Sequence, residues 1–220
     1  MGYADSGTEM HSIGLALSIA ACPVIPSAIP IAIALGISLS NPGEMDKAAN
    51  EWRECAEKLK KFSDELKARL DALPSEHWTA DDKDAFLYAH KKYNGEMEKT
   101  TNIIKNLAGL LDILAGVFFA LAVLAVSVGT FLLILAIFVQ TWIAVPGVNA
   151  AVIATAHSIA SGMITIVNPA VINTQLATAV GVSVAGGFIA GLSGSYGAEA
   201  LSLGKGTPEF KDVEVKLPEA

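Results

Sequence analysis

The stretch ILAGVFFALAVLAVSVGTFLLILAIFV fills residues 113–139 without a single ionised side chain. As a helix rising 1.5 Å per residue it reaches about 40 Å, enough to cross a hydrocarbon core of about 30 Å with some tilt. It is apolar on every side, which suits lipid better than a one-sided soluble core. Gln140, Thr141 and Trp142 follow as an interfacial edge, and Pro146-Gly147 makes a turn. The segment predicts a transmembrane helix.

The absence of charge extends well beyond this stretch. No Asp, Glu, Lys or Arg occurs between Asp112 and Glu199, or between Glu9 and Glu44. Almost all the charge lies in residues 44–112, with a short mixed tail after Glu199. Charged residues make up 17% of the chain, against about a quarter in ordinary soluble domains. One charged region cannot coat the remaining half, so a lipid membrane or a large oligomeric core is implied. The net charge of -7 and the lack of a basic stripe disfavour a nucleic-acid partner. Twelve of the 15 Lys and Arg fall within 47–105, which would hold that region in the cytoplasm if insertion were conventional. Cys22 and Cys55 show neither disulfide nor metal spacing.

The charged region reads as two helices. Asn41 can cap the first, Pro42 suits its first position, and Glu44 sits where a capping-box partner belongs. Met45, Trp52, Leu59, Leu66 and Leu73 recur at seven-residue steps, with Ala48, Cys55 or Ala56, Phe62 and Leu70 between them. That is a heptad seam. Pro74 ends the helix, and Thr79-Ala80-Asp81-Asp82 caps a second. Phe86, Tyr93, Thr100, Leu107 and Leu114 form its seven-residue ladder, with Ala89, Met97, Ile104 and Leu111 interleaved. The result is an antiparallel coiled-coil hairpin with Trp78 at its tip.

A heptad-patterned hairpin of this size, with HWTADDKDAF at its turn, resembles the WXG-type proteins. These are small helical-hairpin substrates and partners of type VII secretion systems. Trp78, Thr79 and Ala80 stand for the Trp-X-Gly triplet, with Ala80 in place of Gly. The resemblance covers roughly residues 41–112 and implies a type VII secretion context and a WXG-like partner chain.

Three further segments are apolar. In 148–168, Thr155, Ser158, Ser161, Thr165 and Asn168 share an arc of about 140° on a helical wheel, with His157 at its edge. Such a stripe could pack against another membrane helix or face a water-filled lumen. Residues 174–194 are rich in small residues, and Gly187 and Gly191 form a Gly-X-X-X-Gly pair that permits close helix approach. Residues 12–40 are long enough to span, but Pro23, Pro26 and Pro30 predict a kinked helix or a re-entrant pair packed on protein.

No phosphate loop, nucleophile elbow or paired acid and base emerges. The chain is therefore not expected to be an enzyme or to need a cofactor. The expected fold is all-α, an antiparallel coiled-coil helical hairpin joined to hydrophobic transmembrane helices. Its domains are 1–40 (apolar, Pro-interrupted), 41–112 (charged hairpin), 113–204 (membrane-inserting) and 205–220 (polar tail). The leading expectation is an oligomeric helical channel or pore linked to type VII secretion, inserted either conventionally or after export. A membrane-anchored scaffold whose hairpin docks a helical partner is the alternative. A soluble, dormant toxin-like oligomer is the third reading.

Overall fold

The computed structural model describes residues 6–72 and 82–203. Every regular element in them is helical: α1 (Gly7–Ala21), a 3-10 turn (Pro26–Ala28), α2 (Ile29–Ile37), α3 (Pro42–Asp71), α4 (Asp82–Trp142) and α5 (Asn149–Leu203). Met1–Val182 forms one compact unit and Ser183–Ala220 a second. The expected tip residues Trp78, Thr79 and Ala80 lie outside the described residues.

Local chemistry explains where α3 begins. Asn41 accepts a hydrogen bond from the Glu44 amide at 3.2 Å, and Pro42 occupies the first turn, where no N–H is required. Helix α4 runs unbroken from the charged hairpin through the apolar stretch, because no Gly-Pro punctuation interrupts it. It ends before Pro146-Gly147, where Gly147 takes a positive φ of 83° that Gly adopts without a Cβ clash.

Helix α4 is the spine of the first unit. Thr101, Ala108, Ala115, Ala122, Gly129 and Ala136 recur every seven residues along it, all buried. Helix α3 runs antiparallel beside it, with Ser63 bonded to Asn94 at 3.1 Å and Arg53 paired with Asp112. Its buried residues, Pro42, Ala49 and Ala56, also step by seven. Helix α1 runs parallel to the apolar part of α4, burying Gly7, Gly14 and Ala21 together with His11 and Ser18. A Cβ on Gly14 would fall on the Ala125 carbonyl group, and one on Gly129 would fall on the Gly14 carbonyl. Glycine at both positions is what lets the two backbones touch.

The Pro-interrupted segment doubles back as a pair of short helices. Helices α1 and α2 have 15 and 9 residues, about 22 and 14 Å, so each falls short of a 30 Å hydrocarbon core. The chain turns at Cys22–Ile25 and returns, and His11 Nε2 lies 2.9 Å from the Leu35 carbonyl. At the open end the Thr8 hydroxyl lies 3.0 Å from Asn41 Oδ1 and 3.3 Å from the Ser40 carbonyl. Helix α5 comes back antiparallel to α4, with Gly181 against Leu110 and Leu114. Ala156, Ala160, Val167 and Val171 of α5 join Ile25, Ile31, Leu35, Leu121 and Leu132 in one apolar core.

Gly187 and Gly191 make no close approach to another helix among the described residues. Both lie in the second unit, and a Cβ on either would meet nothing within 4 Å. The intimate contact belongs to Gly14 and Gly129 instead. Gly129→Ala should therefore lower stability by about 2 kcal/mol through overpacking. Gly116→Ala, in open space, should be neutral or gain up to about 1 kcal/mol of helix propensity. Thermal unfolding of the two variants in mild detergent measures the difference.

Candidate functional site: a hydroxyl stripe and an aromatic groove

The first candidate surface lies on α5. Its buried residues, Ala156, Ala160, Val167, Val171 and Thr174, follow one line of the helix. Thr155, Ser158, Ser161, Thr165 and Asn168 lie roughly opposite, and all five are exposed. The stripe thus faces away from this chain's own core rather than packing on another of its helices. The Thr155 hydroxyl donates to the Ala151 carbonyl at 2.8 Å and the Thr165 hydroxyl to the Gly162 carbonyl at 2.6 Å. With its proton given to its own backbone, each oxygen presents lone pairs outward. Pro169 sits inside α5 and has no N–H to offer the Thr165 carbonyl four residues back. A further acceptor is thereby freed beside Asn168.

His157, expected at the stripe's edge, turns inward. It is half-buried, and its Nδ1 lies 2.9 Å from the Ser27 hydroxyl in the 3-10 turn. It ties the α1–α2 bend to α5. His11 is fully buried, and since a carbonyl can only accept, Nε2 carries the hydrogen toward Leu35. Its Nδ1 has no partner. Among the described residues no three His, Cys, Asp or Glu side chains gather as metal ligands.

The second surface is on the hairpin. Of the residues expected on its seam, Leu59, Leu66 and Met97 are half-buried. Trp52, Phe62, Phe86 and Tyr93 are exposed, at 39%, 54%, 43% and 43%. The structure corrects the register: α3 turns Ala49, Ala56 and Ser63 toward α4, and α4 answers with Asn94, Thr101 and Ala108. Small side chains at the seam allow a closer helix approach than Trp or Phe would. The exposed aromatics lie outside this seam, Trp52 and Phe62 on α3 and Phe86 and Tyr93 on α4. One flank of the seam is polar, lined by Lys60, Asp64, Lys67, Glu98, Asn102 and Lys105. The pattern of alternation alone does not separate these two parallel ladders; residue size does.

The charge boundary is built between the two surfaces. Asp112 is the last carboxylate on α4 before the apolar stretch, and it pairs with Arg53, the side chains being 35% and 40% exposed. One Asp112 oxygen, Oδ1, is buried without a partner.

Two helices among the described residues, α4 and α5, are long and apolar enough to cross a membrane. The molecule is thus an all-α protein in which a charged two-helix coil continues directly into charge-free helices. The PPE family model matches residues 26–177, from the 3-10 turn into α5, and the chain belongs to the PPE family. Its members are associated with type VII secretion, the context that the hairpin's resemblance implied. No curated protein and no solved structure matches the chain.

A double-mutant cycle tests the boundary pair. Arg53→Met and Asp112→Asn should couple by about 1 kcal/mol or less in unfolding experiments, since both groups reach solvent. Additive effects would mean that the pair contributes nothing.

Proposed function

We propose that this chain is a non-enzymatic, type VII secretion-associated protein that inserts into a lipid membrane and assembles as an oligomeric helical channel. Residues 41–112 would stand outside the bilayer as a WXG-like hairpin, and 1–40 and 113–204 would enter it. The observation that carries the reading is the outward-facing hydroxyl stripe of α5. A spanning helix that turns Ser158, Ser161, Thr165 and Asn168 away from its own core leaves them in hydrocarbon unless copies of the chain surround them. Burying a polar group without a partner costs roughly 1–3 kcal/mol. A ring of copies relieves that cost by facing the stripes to water. The apolar window of α5 is only 17% buried within the chain, against 39% for α4, which leaves α5 free to line the assembly.

Purified protein added to dye-loaded liposomes should release the dye and run as an oligomer in mild detergent. Ser158→Leu/Ser161→Leu should reduce release several-fold while the protein still floats with the vesicles. Tight membrane binding without leakage or conductance, in wild type and in every inserted variant, eliminates the channel. Complete extraction by carbonate in place of membrane residence would favour the soluble toxin-like oligomer.

A second reading is supported by the aromatics outside the seam. The exposed aromatic side chains Trp52, Phe62, Phe86 and Tyr93 of the hairpin suit contact with the apolar face of a helical partner, and PPE proteins typically pair with PE partners. In this reading the chain is a membrane-anchored adaptor. Trp52→Asp/Phe62→Asp should abolish capture of a co-expressed helical partner and leave membrane residence unchanged. Retained capture would place the partner elsewhere.

A further inference from the structure

We infer that the channel proposed above carries a hydrophobic gate at Ile172, Leu176 and Val180, beneath a polar vestibule that ends at Asn168. The inference rests on the channel reading and adds how its conduction is controlled.

The argument follows one line along α5. Steps of three and four residues carry the outward face from Thr155 through Ser158, Ser161 and Thr165 to Asn168. The same steps continue it through Ile172, Leu176 and Val180, which are 59%, 61% and 55% exposed. The character of the line changes abruptly. Five hydroxyl or carboxamide side chains from Thr155 to Asn168 are followed by three branched aliphatics, Ile172, Leu176 and Val180, with Gly162, Pro169, Asn173 and Ala179 completing the same arc.

Depth follows from the packing of α5 on α4. The polar part begins beside the 143–148 turn, and the aliphatic part ends where Gly181 meets Leu110 and Leu114, next to Asp112. In a ring of copies with this face inward, water enters from the turn side, wets the hydroxyls and the freed Thr165 carbonyl, and then meets a collar of Ile and Leu near the charged hairpin. A narrow aliphatic collar excludes water and blocks ions without any charged side chain. Pro169 lies at the junction, where the missing hydrogen bond allows the helix to bend. Bending there alters the collar's width and leaves the Gly14–Gly129 contact intact.

The test compares full-length variants in dye-loaded vesicles and planar bilayers, each checked by flotation for insertion. Ile172→Ser/Leu176→Ser should raise dye release or open probability at least ten-fold over wild type, and Leu176→Met should behave as wild type. If the serine variant inserts and conducts no better, while Ser158→Leu/Ser161→Leu still reduces release, the gate is overturned and the channel stands. If neither wild type nor any variant conducts, the channel reading falls and takes the gate with it.

Discussion

The structure depends on how closely other helices can approach α4. Thr101, Ala108, Ala115, Ala122, Gly129 and Ala136 place a small side chain at every seventh residue, a repeat that a helix of 3.6 residues per turn keeps on one side only by supercoiling slightly. The same row serves two kinds of neighbour. Near the hairpin tip it receives α3, whose opposite face is ionic. Deeper, it receives α1, where Gly14 and Gly129 bring backbone against backbone. In water such a row gains from burying apolar area. Among apolar helices it gains from dispersion contacts that only close approach allows. A helix that changes surroundings midway therefore needs no change of packing code.

Much of the architecture was legible in the sequence, because its signals were local. Asn41, Pro42 and Glu44 announced the start of α3. The lack of any breaker after Asp112 announced that hairpin and apolar stretch share one helix, and the three early prolines announced a break there, with a kink and a doubling back both left open. Register was not legible. Trp52, Leu59 and Leu66, and likewise Phe86 and Tyr93, repeat at seven-residue steps as faithfully as Ala49, Ala56 and Ser63 do, and periodicity ranks the larger residues first. Helix approach ranks them the other way. The pair of glycines that touch was missed for a related reason: Gly14 and Gly129 are far apart in sequence, whereas Gly187 and Gly191 form a visible local motif and meet nothing.

The surfaces left over are complementary in kind. On the hairpin, the exposed aromatics of α3 and α4 are the side chains that the intramolecular seam did not consume. On α5, the hydroxyl stripe is the side that the apolar core did not consume. Membership of the PPE family sets both in a protein associated with type VII secretion. The Arg53–Asp112 pair lies eleven residues along α3 from its start at Pro42, about 16 Å.

Thr8 and Asn41 meet at the open end of the α1–α2 pair, so that segment departs from and returns to a single level. Helices α4 and α5 likewise descend and climb back. The distal border is then formed by two bends, 22–25 and 143–148, neither containing a carboxylate, an ammonium or a guanidinium. A bilayer that admitted Gly7–Val182 would have to pass these two uncharged bends through itself. The kinetic barrier to entry then reduces to stripping water from a handful of peptide groups, a toll far below that for translocating even one ion.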